Sequence, residues 1–396
     1  MVLHERPETL RRRWTGIEPA GRGSLVPTAL KAAEPTRYPD TSGRHRSRRS
    51  VRCNHEAPDP PHRRHRPGRR GRQEAAVLLT LSLFCSETAL RQYGADWRTI
   101  APDLSYVALP AEGRLSDDDI ARIDLAVFTA DIWTGDRGPA FFKVLLRAPN
   151  AKWLHMFAAG TDDPVFAELR RRGTRLTHSA GSSATPIAHT VIMHTIALCR
   201  GARELAVAQQ QRRWAERDVT DVEGRTMGII GLGSIGAEVA RLAQHFGIRV
   251  IGVRRSPRGD EPCETWPTQR LHELLPLVDD LVLTAPLTDA TRNIIGATEL
   301  ALLPRGAHLI NIGRGQLVDE PALISALQSG HLGGAALDVF VVEPLPADNP
   351  LWDLPNVIVT PHSAGGTPLA TERAAEIFAG NLGRYLRNES LINEVT

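Results

Sequence analysis

The segment Gly231-Leu232-Gly233-Ser234-Ile235-Gly236 constrains this chain more than any other. An apolar run, Thr226-Met227-Gly228-Ile229-Ile230, precedes it; a helical pattern over 237–246 follows, then a second apolar run over 249–253. Three glycines at this spacing, set between strand and helix, form a dinucleotide-binding turn. Gly231 permits the tight turn, Gly233 lets the backbone approach a pyrophosphate, and Gly236 lets the helix pack closely on the strand. The pyrophosphate rests on the free N–H groups and positive dipole end of that helix, which brings in Ser234 and Ile235 as contacts. Three glycines alone also suit an ordinary strand-to-helix turn; the two strands and the helix in register favour the cofactor.

The end of the second strand decides which cofactor. An NAD site places an acidic residue there for the ribose 2′-hydroxyl. This chain has Val253-Arg254-Arg255-Ser256 instead. Two guanidiniums and a hydroxyl suit a 2′-phosphate, because arginine pairs bidentately with phosphate oxygens. Arg254, Arg255 and Ser256 therefore point to NADP(H), with NAD(H) as the lesser option. Two arginines solvating a strand end are the plain alternative.

At 396 residues the chain can hold two domains. Its charge is uneven. Residues 1–74 hold 18 Arg plus Lys against 8 Asp plus Glu, a net of +10, which leaves −7 for residues 75–396 of a chain that is +3 overall. Nine prolines and only two aromatics, Trp14 and Tyr38, fall in the same stretch. It cannot bury enough apolar surface to offset its ordering entropy, so residues 1–74 are expected to be a disordered basic tail. An extension from an upstream start, a basic arm touching nucleic acid and part of a targeting sequence are three accounts of it; the first is favoured, and nucleic acid is not an expected partner. Arg69-Arg70-Gly71-Arg72 before an apolar run resembles a signal-peptide start, but Glu74 interrupts it and no small-residue cleavage site follows. No apolar stretch is long enough for a transmembrane helix. Cys53, Cys85, Cys199 and Cys263 show no metal spacing. Free thiols in a reducing cytoplasm are the simplest account, and no metal is expected.

From residue 75 to 178, apolar runs at 76–84, 106–109, 125–128, 153–157 and 174–177 alternate with helical patterns at 116–122, 139–146 and 164–172. Such alternation predicts a parallel α/β sheet. A long helical stretch, 183–215, leads into the fingerprint region; its part over 187–198 is nearly all apolar and expects burial or a subunit interface. Four further runs, 280–284, 308–312, 334–338 and 357–360, bring that region to six strands, with helices at 269–275, 297–303 and 320–328. A helical pattern over 367–387 closes the chain.

Three reactive side chains sit just past strand ends, where ligands bind in open α/β sheets. Arg314 is flanked by Gly313 and Gly315, Glu343 follows Asp338-Val339-Phe340-Val341-Val342, and His362 lies in Thr360-Pro361-His362-Ser363-Ala364-Gly365. Each alone is more simply a surface or structural residue. Together, in one region with a cofactor turn, these three chemically suitable groups form a constellation, with Arg314 able to offer a fork for a carboxylate.

These segments resemble the D-isomer-specific 2-hydroxyacid dehydrogenase family over about 75–395. The match rests on the 231–236 turn, Ala285-Pro286-Leu287-Thr288, the 311–320 segment with Arg314, 336–346 with Glu343 and 356–365 with His362. The resemblance implies two Rossmann-like or flavodoxin-like α/β domains with parallel sheets. Residues 184–362 are the NAD(P)-binding Rossmann domain, inserted in a substrate domain made of 75–183 and 363–396. It implies His362 as acid and base, Glu343 holding the imidazole and stabilising its charged form, and Arg314 binding and polarising a 2-oxo acid. It also implies Ala285, Pro286, Ile312 and Asp338 beside the cofactor. In Ala158-Ala159-Gly160-Thr161 it implies a loop whose backbone N–H groups, at Ala159 and Gly160, hold the substrate carboxylate. Trp133 is a weaker candidate pocket wall. Family members are usually homodimers built around the cofactor domain and the helix over about 184–204. Two departures stand out: Arg254 replaces the usual acid, and His189 stands where the family usually has Glu.

The resulting expectation is a cytoplasmic, NADPH-dependent reductase of a small 2-oxo acid, of the glyoxylate or hydroxypyruvate type. The rivals are a dehydrogenase of another 2-hydroxy acid, or of formate or phosphonate with NAD, and an NAD(H)-sensing binding protein like the corepressors of this fold.

Overall fold

The structure is a computed structural model and describes residues 81–395. The expectations for the tail and for the run before Leu81 lie outside the described residues. Two parallel sheets organise the rest. The first has five strands: β1 (Ser82–Ser86), β2 (Ser105–Leu109), β3 (Leu125–Phe128), β4 (Trp153–Met156) and β5 (Arg175–His178), in the order β2-β1-β3-β4-β5. The second has seven: β6 (Thr226–Ile230), β7 (Arg249–Arg254), β8 (Glu264–Pro267), β9 (Asp280–Leu283), β10 (His308–Asn311), β11 (Gly334–Leu337) and β12 (Val357–Val359), in the order β12-β11-β10-β9-β6-β7-β8.

Helices cover both faces of these sheets, so central strands are buried throughout rather than at alternate residues. Leu-Ala-Val-Phe in β3 and Asp-Leu-Val-Leu in β9 are buried at every position. The order reverses between β1 and β3 in the first sheet and between β6 and β9 in the second, and open α/β sheets bind ligands outside the strand C-termini at such reversals.

The last helix, Pro368–Leu386, is capped by Thr367 and returns to the first sheet. Its Ala374, Phe378 and Leu382 are buried with Leu83, Trp97 and Trp153. Phe378 packs edge-on against Trp97 and stacks on Trp153; truncating such a side chain costs about 3–5 kcal/mol. That burial returns the chain end to the first lobe, so the second sheet is an insertion, as expected. Glu394 completes the return by pairing both carboxylate oxygens with Arg175 at the end of the first sheet.

Three local expectations are corrected. The second sheet has seven strands rather than six: β8, Glu-Thr-Trp-Pro, is short, half-exposed and ends in proline, which only an edge strand tolerates. The expected continuous helix over 183–215 is two helices, Ala184–Cys199 and Ala202–Gln210, because Gly201 between them adopts a left-handed conformation (φ 59°). The expected helix over 269–275 is one short α-turn, Leu271–Leu274, between two 3-10 turns. His189 is exposed on the first of the paired helices and does not interrupt it.

Candidate active site

The glycine turn has the shape a pyrophosphate requires. Gly231 sits at φ 102°, and a Cβ there would fall 2.6 Å from the Ala285 nitrogen. A Cβ on Gly236 would fall 2.1 Å from the Gly231 carbonyl oxygen, so the helix lies directly on the turn. Among the described residues nothing lies within 4 Å of the corresponding point on Gly233, which leaves that face of the backbone open. The helix Ser234–His245 has no side-chain cap and no acidic residue in its first turn. Its first N–H groups and dipole are free for an anion. The donor set and the open cradle fit a dinucleotide. Gly231, Gly233, Ser234, Ile235 and Gly236 would hold its phosphates, with buried Ala285 and Ile312 and exposed Pro286 at neighbouring strand ends.

At the end of β7 the structure divides the three residues that the sequence groups together. Arg254 Nη1 donates to Glu261 Oε1 at 3.0 Å, and Glu261 also accepts the N–H groups of Arg258 (2.7 Å) and Gly259 (2.8 Å). Arg254 is thus tied to a carboxylate that folds its own loop, while Arg255 and Ser256 are exposed. Sequence reasoning missed Glu261; its only signal was an acid seven residues past the strand end.

Past β12 the chain turns at His362, whose backbone is left-handed (φ 50°). Such a conformation is costly for a non-glycine residue and persists only where its surroundings impose it. Asp338, buried past the end of β11, does so. Its Oδ1 accepts from the Thr360 hydroxyl (2.6 Å) and the Ser363 N–H (3.0 Å), and its Oδ2 accepts from the Ala364 N–H (3.1 Å). His362 in turn donates its N–H to the Asp338 carbonyl at 2.8 Å. The imidazole Nδ1 lies 2.8 Å from Glu343 Oε2, and Glu343 Oε1 accepts the Phe340 N–H at 2.9 Å. The expected His362–Glu343 couple is therefore assembled, with one nitrogen engaged and Nε2 left over.

Arg314 is set by Asn311, whose amide donates to the Arg314 carbonyl (2.9 Å) and whose oxygen accepts the Gly313 N–H (3.1 Å). A Cβ on Gly315 would collide with the Phe340 backbone at 1.9 Å. The Arg314 turn therefore packs on the segment that leads to Glu343. From the other lobe, Asp162 accepts from Arg314 Nε and Nη2, both at 3.0 Å. Burial raises the Asp162 pKa, but the Arg314 hydrogen bonds and charge, with a smaller contribution from His362, hold it below the usual carboxylate value. Arg314 and His362 thus both act on one carboxylate that sequence reasoning did not find. Ala159 and Gly160 lie in the same loop, and among the described residues their N–H groups donate to no backbone acceptor. Trp133, 68% exposed beyond the end of β3, meets the Phe128 ring edge-on.

The chain is similar to known proteins in sequence and in fold. The family described as "D-isomer specific 2-hydroxyacid dehydrogenase, NAD binding domain" matches residues 192–364. A glyoxylate/hydroxypyruvate reductase B of Pectobacterium carotovorum is 37% identical over 272 residues, covering 67% of this chain and 85% of that protein. A glyoxylate reductase of Korarchaeum cryptofilum is 35% identical over 269 residues, covering 65% and 80%. The crystal structure of a D-isomer specific 2-hydroxyacid dehydrogenase from Xanthobacter autotrophicus Py2, in complex with NADPH and MES, superposes with a TM-score of 0.66 at 31% identity, over 80% of this chain and 98% of that one.

Proposed function

The chain belongs to the D-isomer-specific 2-hydroxyacid dehydrogenase family and is an NAD(P)-dependent oxidoreductase, and from that premise we propose that it reduces a small 2-oxo acid, of the glyoxylate or hydroxypyruvate type, to the D-2-hydroxy acid with NADPH. The observation that carries this is the His362–Glu343 couple together with the Arg314 guanidinium, with His362 and Arg314 both acting on Asp162 of the other lobe. The names of the Pectobacterium and Korarchaeum relatives support the substrate class.

Reduced nicotinamide, when bound, supplies a hydride to the carbonyl carbon. The protein supplies the rest. Glu343 holds Nδ1 of His362, so Nε2 is the atom that gives its proton to the carbonyl oxygen. Arg314 binds and polarises the 2-oxo acid through charge-assisted hydrogen bonds. The N–H groups of Ala159 and Gly160 receive the carboxylate. In the reverse direction the neutral imidazole takes the hydroxyl proton. The lobe built on the first sheet carries the substrate loop, and the inserted lobe carries the cofactor turn.

Arg255 and Ser256, with the NADPH in the Xanthobacter structure, support NADP(H). The Arg254–Glu261 pair favours a second reading, in which NADH serves as well, because it occupies one of the two guanidiniums. A homodimer is part of the proposal: Met193, Leu205 and Val207 on the paired helices, and Trp214 beyond them, are exposed apolar groups. Cytoplasmic residence is supported by the free thiols of Cys85, Cys199 and Cys263.

The test is NADPH and NADH consumption with a panel of 2-oxo acids. His362→Ala should cut turnover by about 10²–10⁴-fold, the range general acid–base catalysis supplies, and leave cofactor binding intact. Unchanged turnover in that variant removes His362 from the role.

A further inference from the structure

We infer that Asp162 is a positioning residue of the substrate-binding arginine: it clamps one edge of the Arg314 guanidinium from the opposite lobe and so presents the other edge to a 2-oxo acid. This rests on the 2-oxo acid reading above and adds to it a residue acting from the substrate lobe.

The geometry is specific. Asp162 and Arg314 are separated by 152 residues, on different lobes, and meet through two parallel hydrogen bonds of 3.0 Å each, from Nε and Nη2. Two parallel bonds fix the plane of a guanidinium as a single contact cannot. A third, from Nη1 to the Gly313 carbonyl at 2.8 Å, fixes its depth. A guanidinium has five N–H groups. Among the described residues three are engaged, which leaves one on each terminal nitrogen, at the outer end of the fork. That end offers two coplanar donors, matched to the keto oxygen and one carboxylate oxygen of a 2-oxo acid.

Gly160 makes a second contact with the same guanidinium. An ideal Cβ there would lie 2.0 Å from Arg314 Nη2 and 3.2 Å from Asp162 Oδ1. The loop therefore lies against the guanidinium at a position where a Cβ would displace it. The loop that supplies backbone N–H groups to the substrate is thus docked on the arginine that binds it, and Asp162 sets that docking. Asp162 also shields the charge of Arg314 on its clamped edge. A second carboxylate meets a repelling neighbour there and is directed to the free end and to the Ala159 and Gly160 N–H groups.

The test is steady-state kinetics of Asp162→Asn, Arg314→Lys and the double variant, with glyoxylate and NADPH, after binding of NADPH has shown that each variant is folded. Asp162→Asn should lower kcat/KM for glyoxylate roughly tenfold or more, in line with the loss of charge-assisted hydrogen bonds. Its KM for NADPH should stay within about twofold of the wild-type value. Lysine cannot form the two parallel bonds, so in the Arg314→Lys background the Asp162→Asn change should cost nothing more. Asp162→Glu, which retains the charge one methylene further out, should recover part of the loss. Three results overturn the inference: kcat/KM of Asp162→Asn within twofold of wild type, a lowered KM for glyoxylate, which makes Asp162 a competitor for the substrate's own edge, or losses that simply add in the double variant. A wild-type protein that turns over no 2-oxo acid overturns the proposed function and this inference with it; an active wild type with an unaffected Asp162→Asn overturns this inference alone.

Discussion

The Thr360 hydroxyl lies 2.6 Å from Asp338 Oδ1, joining the ends of two neighbouring strands immediately before the chain turns at His362. The same carboxylate holds the two N–H groups that follow the histidine. The left-handed backbone at His362 is thus enforced from both sides by one buried acid. Sequence reasoning placed Asp338 beside the cofactor; the structure adds that both its oxygens serve the catalytic turn.

Loss of that bond should act on the chemical step. Thr360→Val removes the hydroxyl while retaining the shape of the side chain. We expect kcat to fall about tenfold, since small misplacements of a catalytic group are costly, and stability to fall by about 1 kcal/mol. Saturating kinetics and thermal unfolding of the same sample measure both.

Cofactor choice should depend on Arg255 more than on Arg254. Arg254 is partnered with Glu261, whereas Arg255 is exposed beside Ser256. Arg255→Ala should raise KM for NADPH about tenfold through one lost charge-assisted contact and change KM for NADH by less than about twofold. Equal changes for both cofactors would show that Arg255 does not touch the 2′-phosphate.

Stability should decline on mild acidification because of His155. This ring is buried between Thr177 and Ser179, with hydrogen bonds of 2.7 and 3.0 Å. Burial, helped by the charge of His178, lowers its pKa from 6.5 to about 3. Between those values the unfolded chain binds the proton and the folded one does not. The contribution is therefore complete above pH 6.5 and is lost progressively as pH falls towards 3. The slope is about 1.4 kcal/mol per pH unit. Urea unfolding at pH 7, 6 and 5 should show a smaller loss in His155→Gln than in wild type.

At the opposite end of the second sheet, Arg225 holds Asp280 through Nε (2.7 Å) and Nη2 (2.9 Å), and His308 Nδ1 lies 2.8 Å from the same carboxylate. Burial raises the Asp280 pKa, but the hydrogen bonds of His308 and Arg225 outweigh it and keep the value lowered. Cys199 completes a group whose donor atoms could hold a metal ion, but the guanidinium already supplies the positive charge there. Arg225→Met would strand a buried carboxylate and should cost about 3–5 kcal/mol, read from denaturant midpoints without loss of the site's own geometry.

Much of the fold is legible because central strands of a parallel sheet are unbroken apolar runs. Residues 125–128 and 226–230 are read to the residue and β4, β9 and β10 to within one at an end, whereas β1 is Ser82–Ser86 against an expected run over 76–84. β8 is missed because an edge strand needs neither length nor hydrophobicity. The helix break at Gly201 is missed because the apolar pattern on either side hides one residue's backbone sign. In the site, His362, Glu343 and Arg314 are legible as a set past strand ends near a cofactor turn, and their roles only through the resemblance of the surrounding segments to a known family. Asp162, Glu261 and Thr360 are not, since an Asp, a Glu or a Thr in a loop is ordinary until its partner is known.

The linear chain by itself determined the glycine turn, the alternation of strand and helix, and the presence of an imidazole, a carboxylate and a guanidinium past successive strands. These are local properties, carried by side-chain volume and backbone freedom over a few neighbours. Only the tertiary structure decided which acid answers which base: Glu261 for Arg254, Asp162 for Arg314, Asp338 for the turn at His362. Hydrogen bonds act over about 3 Å of space, and partners 152 residues apart come within that reach only when two lobes have packed.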